Sequence, residues 1–174
     1  ASWSLHAHAL DLSGTQREAI LASPMSVGVM AESGTLPIER RIIDRFLFLN
    51  EVFDPANWTN EIIDRMVDEL GTFQPVTFEA NPSLMARFCR RAHGRGRPVF
   101  QPQIIILTYE FPSQLHMRAL RSMFSCPVAS SHGSTEAGYV FMECEHGRLH
   151  QNTEFCRVDF LPWRREFGGP ALGR

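Results

Sequence analysis

Ile104-Ile105-Ile106-Leu107 is an unbroken apolar run, nearly all of it β-branched. A strand with one wet face would alternate apolar and polar residues. An unbroken run marks a strand covered on both faces, as in a parallel sheet. Parallel strands need helical crossovers, and the flanking sequence supplies them on both sides. Upstream, Asn81-Pro82 opens a helix whose Leu84, Met85, Phe88 and Cys89 share one face and which stops near Gly94. Before it, Pro75-Val76-Thr77-Phe78 is a short β-prone run. Asp54-Pro55 predicts an earlier helix, with Trp58, Ile62, Met66 and Leu70 recurring every four residues as far as Gly71. Ile42, Ile43, Phe46, Leu47, Phe48 and Leu49 read as a strand toward the C-terminal half of that run.

Downstream, a helix is expected from Pro112 with Leu115, Ala119, Leu120 and Met123 on one side. Then come a strand at residues 127–129, a loop at 130–138, and two or three strands between 139 and 161. In the last part Phe155, Arg157, Asp159 and Leu161 alternate with Cys156, Val158 and Phe160. The fold class expected is α/β: a layered, mostly parallel sheet with flanking helices and a trailing antiparallel portion. The first forty residues, with a short apolar run at 27–30, carry no comparable pattern.

The chain has 174 residues, 17 Lys+Arg against 19 Asp+Glu, a formal charge of −2 and 44% hydrophobic residues. That is one domain's worth of chain, able to bury roughly two-thirds of its unfolded surface without disulfides or structural metals. Near-neutral charge excludes wholesale electrostatic binding of nucleic acid or an anionic membrane. No apolar run approaches the ~18 residues of a membrane span, so a cytoplasmic location is expected. Cys89, Cys126, Cys144 and Cys156 are too few and too irregular for a disulfide framework. A start at Ala1 and a turn-like end at Gly168-Gly169-Pro170-Ala171-Leu172-Gly173-Arg174 read as a fragment of a longer protein, with residues 1–174 one incomplete domain.

The stretch that carries chemistry is Ser130-Ser131-His132-Gly133-Ser134-Thr135-Glu136-Ala137-Gly138. It follows an expected parallel strand, and open α/β sheets bind ligands at strand C-terminal ends. Glycines let backbone approach a ligand, hydroxyls donate to phosphate oxygens, and Glu136 offers the hard oxygen that Mg²⁺ takes. As composition alone, the same stretch is an ordinary turn.

The loop resembles the Tyr-Gly-x-Thr-Glu motif of the AMP-forming adenylating enzymes, in the branch of phenylacetate–coenzyme A ligase. Three more segments fall in the order that branch shows. Asn81-Pro82-Ser83-Leu84-Met85 is similar to its Pro-Ser helix start, and Thr108-Tyr109-Glu110-Phe111-Pro112 to its Gly-Ala-Glu-x-Pro adenine loop. Glu143-Cys144 with Gly147-Arg148-Leu149-His150 is similar to its Glu-Cys…Gly-Leu-His segment. The resemblance covers residues 46–161. It implies part of the large N-terminal domain of an ATP-dependent ligase that joins a carboxylic acid to AMP, releases pyrophosphate and passes the acyl group to coenzyme A.

By position in the resemblance, Thr135 contacts the α-phosphate and Glu136 holds Mg²⁺. Tyr109, Glu110 and Phe111 border the adenine through backbone groups, and Ser130, Ser131, His132, Gly133 and Ser134 line its other side. The acyl pocket is expected near residues 78–83 and behind Ala137-Gly138. His132 stands where the family stacks a tyrosine on the base, Ser130 where it has Asp or Asn, and Thr108-Tyr109 where it has Gly-Ala. The family's phosphate loop has no counterpart here; Ser33-Gly34-Thr35-Leu36-Pro37 lacks its second Thr-Gly and its lysine. The ribose-binding Asp and the lysine-bearing C-terminal domain would lie beyond Arg174, so the chain alone is expected to be inactive.

Cys144, His146, His150 and Cys156 form a C-x-H-x₃-H-x₅-C cluster with ligand types that suit Zn²⁺, although the spacing matches no standard finger. Cys144 and His150 are the candidate ligands; the alternative is a half-buried thiol beside solvated histidines. A non-catalytic α/β interaction module stabilised by that zinc is the rival to the ligase. Arg87, Arg90, Arg91, Arg95 and Arg97 crowd one helix end, where cations complement the dipole; a phosphate-docking site is the sharper alternative. His6 and His8 read as surface residues.

Overall fold

The 104–107 run is strand β5 (Ile104–Leu107), buried at all four positions, in a computed structural model that describes residues 15–26, 36–144, 146–154 and 156–159. It lies between two parallel neighbours, β4 (Thr77–Ala80) and β6 (Val128–Ser134). On the far side of β4, β1 (Glu18–Leu21) and then β3 (Phe46–Phe48) continue the parallel order. Antiparallel strands close both edges: β2 (Ile42–Ile43) beside β3, and β7 (Gly138–Glu143) then β8 (Leu149–Gln151) beyond β6. The sheet therefore has eight strands in the order β2-β3-β1-β4-β5-β6-β7-β8.

Three helices connect the parallel strands: α1 (Asn60–Phe73), α2 (Pro82–Gly94) and α3 (Gln114–Arg121). Alternate strand residues Ala19, Leu21, Leu47, Phe78, Ile105 and Leu107 join Ile63, Met66, Leu70, Met85, Phe88 and Leu120 of the helices in one apolar core. Ile104, Ile106 and Ala129 form a smaller buried cluster of their own. Cys89 belongs to the main core, and burial pushes its thiol up to about 12, which makes it inert packing. All four cysteines are free.

The expected α/β order is what the structure has, with four local corrections. Asp54 caps only a 3-10 turn (Pro55–Asn57); α1 starts later, where the Thr59 hydroxyl accepts the Ile62 N–H, and runs past Gly71 to a left-handed Gln74. Gly71 has open space around it, and the buried Phe73 beyond it holds the last turn on the core. α3 starts after Ser113, which caps it, and Leu115 is 68% exposed. Residues 130–134 are strand rather than loop, because β7 gives them an antiparallel partner just where pairing with β5 ends at Ser130. Beyond β8, Cys156, Arg157, Val158 and Asp159 are not in a strand. The expectations for residues 1–14, 27–35, Phe155 and 160–174 lie outside the described residues.

The arginine run is mostly structural. Arg95 pairs with Asp64, Arg97 with Asp64 and Asp68, Arg91 with Asn60, and Arg87 with the Pro55 carbonyl, so α2 and the loop after it are tied to α1 and the turn before it. A second ionic group is buried. Arg41, wholly buried at the start of the β2–β3 hairpin, meets Glu51 and Glu69, and Arg65 meets the same two carboxylates from α1. Among the described residues, no helix is long and apolar enough to cross a membrane.

Candidate active site

The parallel strands β1, β3, β4, β5 and β6 all point one way, so the segments that follow them gather at one edge of the sheet. After β4, the Asn81 side chain accepts the Leu84 N–H and starts α2. The Glu110 carboxylate, from the segment after β5, accepts the Ser83 N–H at 2.8 Å. A carboxylate there also complements the helix dipole and binds the two segments together. Glu110 is thus committed to α2.

Beside it, between the end of β5 and the β6–β7 hairpin, lies an open cleft of about 430 Å³. Thr108 and Tyr109 form one wall; Ser131, Gly133, Ser134 and Thr135 the other; Gly138 and Tyr139 complete it. The hairpin is built for close approach. Its register slips between His132 and Gly133, leaving Val140 without an opposite residue. A Cβ placed on Gly133 would sit 2.1 Å from the Gly138 carbonyl oxygen. In the turn at 135–137, the Ser134 hydroxyl accepts the Ala137 N–H at 3.1 Å, and Gly138 takes φ +66°. Glu136 stands exposed on this turn, and hydrogen bonds from its own backbone N–H and the Ser134 hydroxyl hold its carboxyl below the usual range. It is ionised at neutral pH, a hard oxygen donor in keeping with Mg²⁺.

The residues expected around a nucleotide divide. Tyr109, Ser131, Gly133, Ser134 and Thr135 line the cleft together. Ser130, His132, Glu110 and Phe111 do not. The Ser130 N–H and hydroxyl both donate to the Glu143 carboxylate, at 2.8 and 2.7 Å. His132 is exposed and lies near the Phe141 ring, with centroids 6.4 Å apart. Phe111 is 75% exposed.

Glu79 fell within the stretch 78–83 expected at the acyl pocket and Thr108 within the adenine-loop segment, neither with a role of its own, and Tyr139 was not among the candidates read from sequence. Glu79 sits in β4, and the Thr108 and Tyr109 hydroxyls donate to its Oε1 at 3.3 and 3.2 Å. Tyr109 holds a left-handed φ of +75°, rare for a side chain of its size, and this bond anchors it. Burial, only partly offset by the two hydroxyl donors, raises the Glu79 carboxyl above the usual range. The folded state therefore binds more protons than the unfolded chain just above that range, and stability falls as pH rises through it. Glu79→Gln is expected to flatten that slope in denaturation series across pH, and an unaltered slope counts against it. The signal in the sequence was a single charged residue inside the run Thr77-Phe78-Glu79-Ala80.

Zinc finds no support at the expected place. Among the described residues, no three His, Cys, Asp or Glu side chains are placed to hold a metal ion. Cys144 follows β7 and its N–H donates to the Arg148 carbonyl, His150 is exposed opposite Met142, and the Cys156 thiol turns to the Asn152 carbonyl.

No protein-family model matches the chain, and no curated protein matches it significantly. Solved structures do. VinN shares 14% identity at a TM-score of 0.52, over 82% of this chain and 32% of that one. An open conformation of 2-hydroxyisobutyryl-CoA ligase, in complex with 2-HIB-AMP and CoA, shares 14% identity at a TM-score of 0.50, over 78% of this chain and 29% of that one. The chain thus spans about a third of the length of the structures it matches. At this identity the likeness is one of fold: the chain carries an α/β architecture that recurs within a CoA ligase.

Proposed function

We propose that the chain is part of an ATP-dependent, AMP-forming ligase that converts a carboxylic acid to its acyl-adenylate and passes the acyl group to coenzyme A. The observation that carries this is the hairpin turn, which presents the Thr135 hydroxyl and the ionised Glu136 beside a cleft at the ligand-binding edge of the sheet. The shared fold with a ligase whose structure holds 2-HIB-AMP and CoA supports it.

Adenylation brings two anions together. A carboxylate oxygen attacks the α-phosphorus, and the bond to pyrophosphate breaks. The protein's part is to hold the reactants in line and to meet the charge that develops on the phosphate. In this reading the Thr135 hydroxyl donates to an α-phosphate oxygen, and Glu136 is the ligand for Mg²⁺, which would neutralise the phosphates. The acyl arm of the adenylate enters the cleft, so that Tyr109, Ser131, Gly133 and Ser134 border the acid in this reading instead of the adenine that the resemblance implied for them. The base lies across β6, where the exposed His132 ring can stack on it with less area than a tyrosine and the Glu143 carboxylate can accept from its amino group. Because the chain spans about a third of the matched structures, turnover is proposed for the complete protein, with this incomplete domain supplying the adenylate cleft.

ATP–pyrophosphate exchange on the complete gene product, with Mg²⁺ and a panel of carboxylic acids, is the test. Exchange with at least one acid is expected. Glu136→Ala should lower it on the order of a hundredfold without altering the thermal unfolding of the protein, since Glu136 is exposed. Unchanged exchange in that variant removes Glu136 from the reaction. No exchange with any acid in folded protein removes the ligase reading.

A further inference from the structure

We infer that the acid held in this cleft is a polar one, bearing a hydroxyl or amino group, rather than a plain alkanoic or unsubstituted aromatic acid; the inference rests on the ligase reading. Its basis is what lines the cleft. Of the eight described residues that form it, six carry hydroxyls and two are glycines. None is aliphatic. Binding sites for apolar acids draw most of their affinity from apolar and aromatic lining, with a few polar groups to orient the ligand. Here the apolar surface comes from tyrosine rings and threonine methyls, and every side chain that supplies it also carries a hydroxyl.

One of these hydroxyls is waiting for a partner. Ser131 is only 8% exposed, lines the cleft, and its Oγ has no hydrogen-bond partner among the described residues. A buried polar atom left unpaired is destabilising, and native structures keep such atoms rare. Its neighbours do not share this state. The Ser130 hydroxyl is taken by Glu143, the Thr108 and Tyr109 hydroxyls by Glu79, and the Ser134 hydroxyl holds the turn. A substituent that bonds Ser131 would satisfy both itself and the serine. An acid lacking it would leave the serine unpaired and buried more deeply, and discrimination by a paired polar site exceeds what one methylene achieves in an apolar pocket.

Glu79 adds to the same picture from beneath. Its carboxyl, at the foot of Thr108 and Tyr109, gives that wall a buried acidic group behind the hydroxyls. An amino or hydroxyl substituent meets acceptors from both walls of the cleft, whereas a methyl or an unsubstituted ring edge meets groups it cannot bond.

The test is a titration of the complete gene product with matched pairs, lactate against propionate and 4-hydroxybenzoate against benzoate, followed by amide NMR shifts, with AMP titrated separately. The hydroxy acid of at least one pair is expected to bind about tenfold more tightly, with shifts at Ser131. Ser131→Ala should collapse that ratio toward one, and Ser131→Thr, which keeps a hydroxyl, should restore it. Equal affinity within both pairs, or tighter binding of propionate and benzoate, overturns the polar-acid inference. If AMP shifts Thr135 and Glu136 in the same experiments, the ligase reading survives that failure. If neither AMP nor any acid binds, both fall.

Discussion

Arg41→Ala is expected to lower stability by about 3–5 kcal/mol, the range for breaking a buried ion pair by removing one partner. Two arginines and two glutamates compensate one another in this cluster. The Arg41 guanidinium donates to the Phe48 carbonyl at 3.1 Å, to the Leu36 carbonyl at 3.1 Å and to the Glu69 carboxylate. Glu51, itself 2% exposed, accepts the Leu36 N–H at 2.8 Å and faces both Arg41 and Arg65. Removing Arg41 leaves two carboxylates sharing one partly exposed arginine. Domains of this size are typically stable by only about 5–15 kcal/mol, so the variant should unfold at a much lower urea midpoint. Arg97→Ala serves as the contrast, because its pairs with Asp64 and Asp68 lie at the surface and little change is expected. Comparable midpoints for the two variants would mean that the cluster is not compensated as described.

Gly133→Ala should do to the cleft what Arg41→Ala does to the scaffold. The added carbon would meet backbone, the Gly138 carbonyl oxygen at 2.1 Å, which cannot rotate away as a side chain could. The hairpin must part or re-register, at a loss of about 1–3 kcal/mol in the range of overpacking, and cleft ligands should lose at least tenfold in affinity. Gly138→Ala separates sterics from backbone strain: its Cβ would enter open space, and only the φ of +66° resists it. Acid and nucleotide titrations should therefore show Gly133→Ala as the more damaging of the two. Equal effects would place the constraint in the turn's dihedral angles instead.

What could be read from the sequence, and what could not, follows from how far each signal reaches. The unbroken 104–107 run and the Asn81-Pro82 helix start are local statements, and the structure has both. The Asp54-Pro55 cap was also local, but the helix waited for Thr59, since Pro55–Asn57 forms a 3-10 turn first. Residues 130–134 read as loop because Ser and Gly have low strand propensity; pairing with a strand further along the chain overrode that. Leu115 fitted the helical spacing yet stays exposed, because spacing defines a face without saying what covers it. The site divides in the same way. A resemblance in linear order placed the turn residues together, but Ser130 and His132 diverge from Ser131 and Gly133, and Glu143 claims Ser130 from across the hairpin. Glu79 reaches the site through β4, and its local signal, one charged residue in an otherwise strand-like run, does not say which distant hydroxyls it will hold.

The strands that carry the turn contribute very little to the apolar interior. Among the described residues of β7 and β8, Met142 is the one buried apolar side chain, while the helices and parallel strands hold the main core. Local opening free energies track that kind of difference, so the hairpin amides should exchange with deuterium well before those of β4 and β5, without the rest of the domain unfolding. A ligand that bridges the two walls of the cleft would slow exchange in the hairpin, because opening there must release it. Occupancy of this cleft is then readable from a handful of amides.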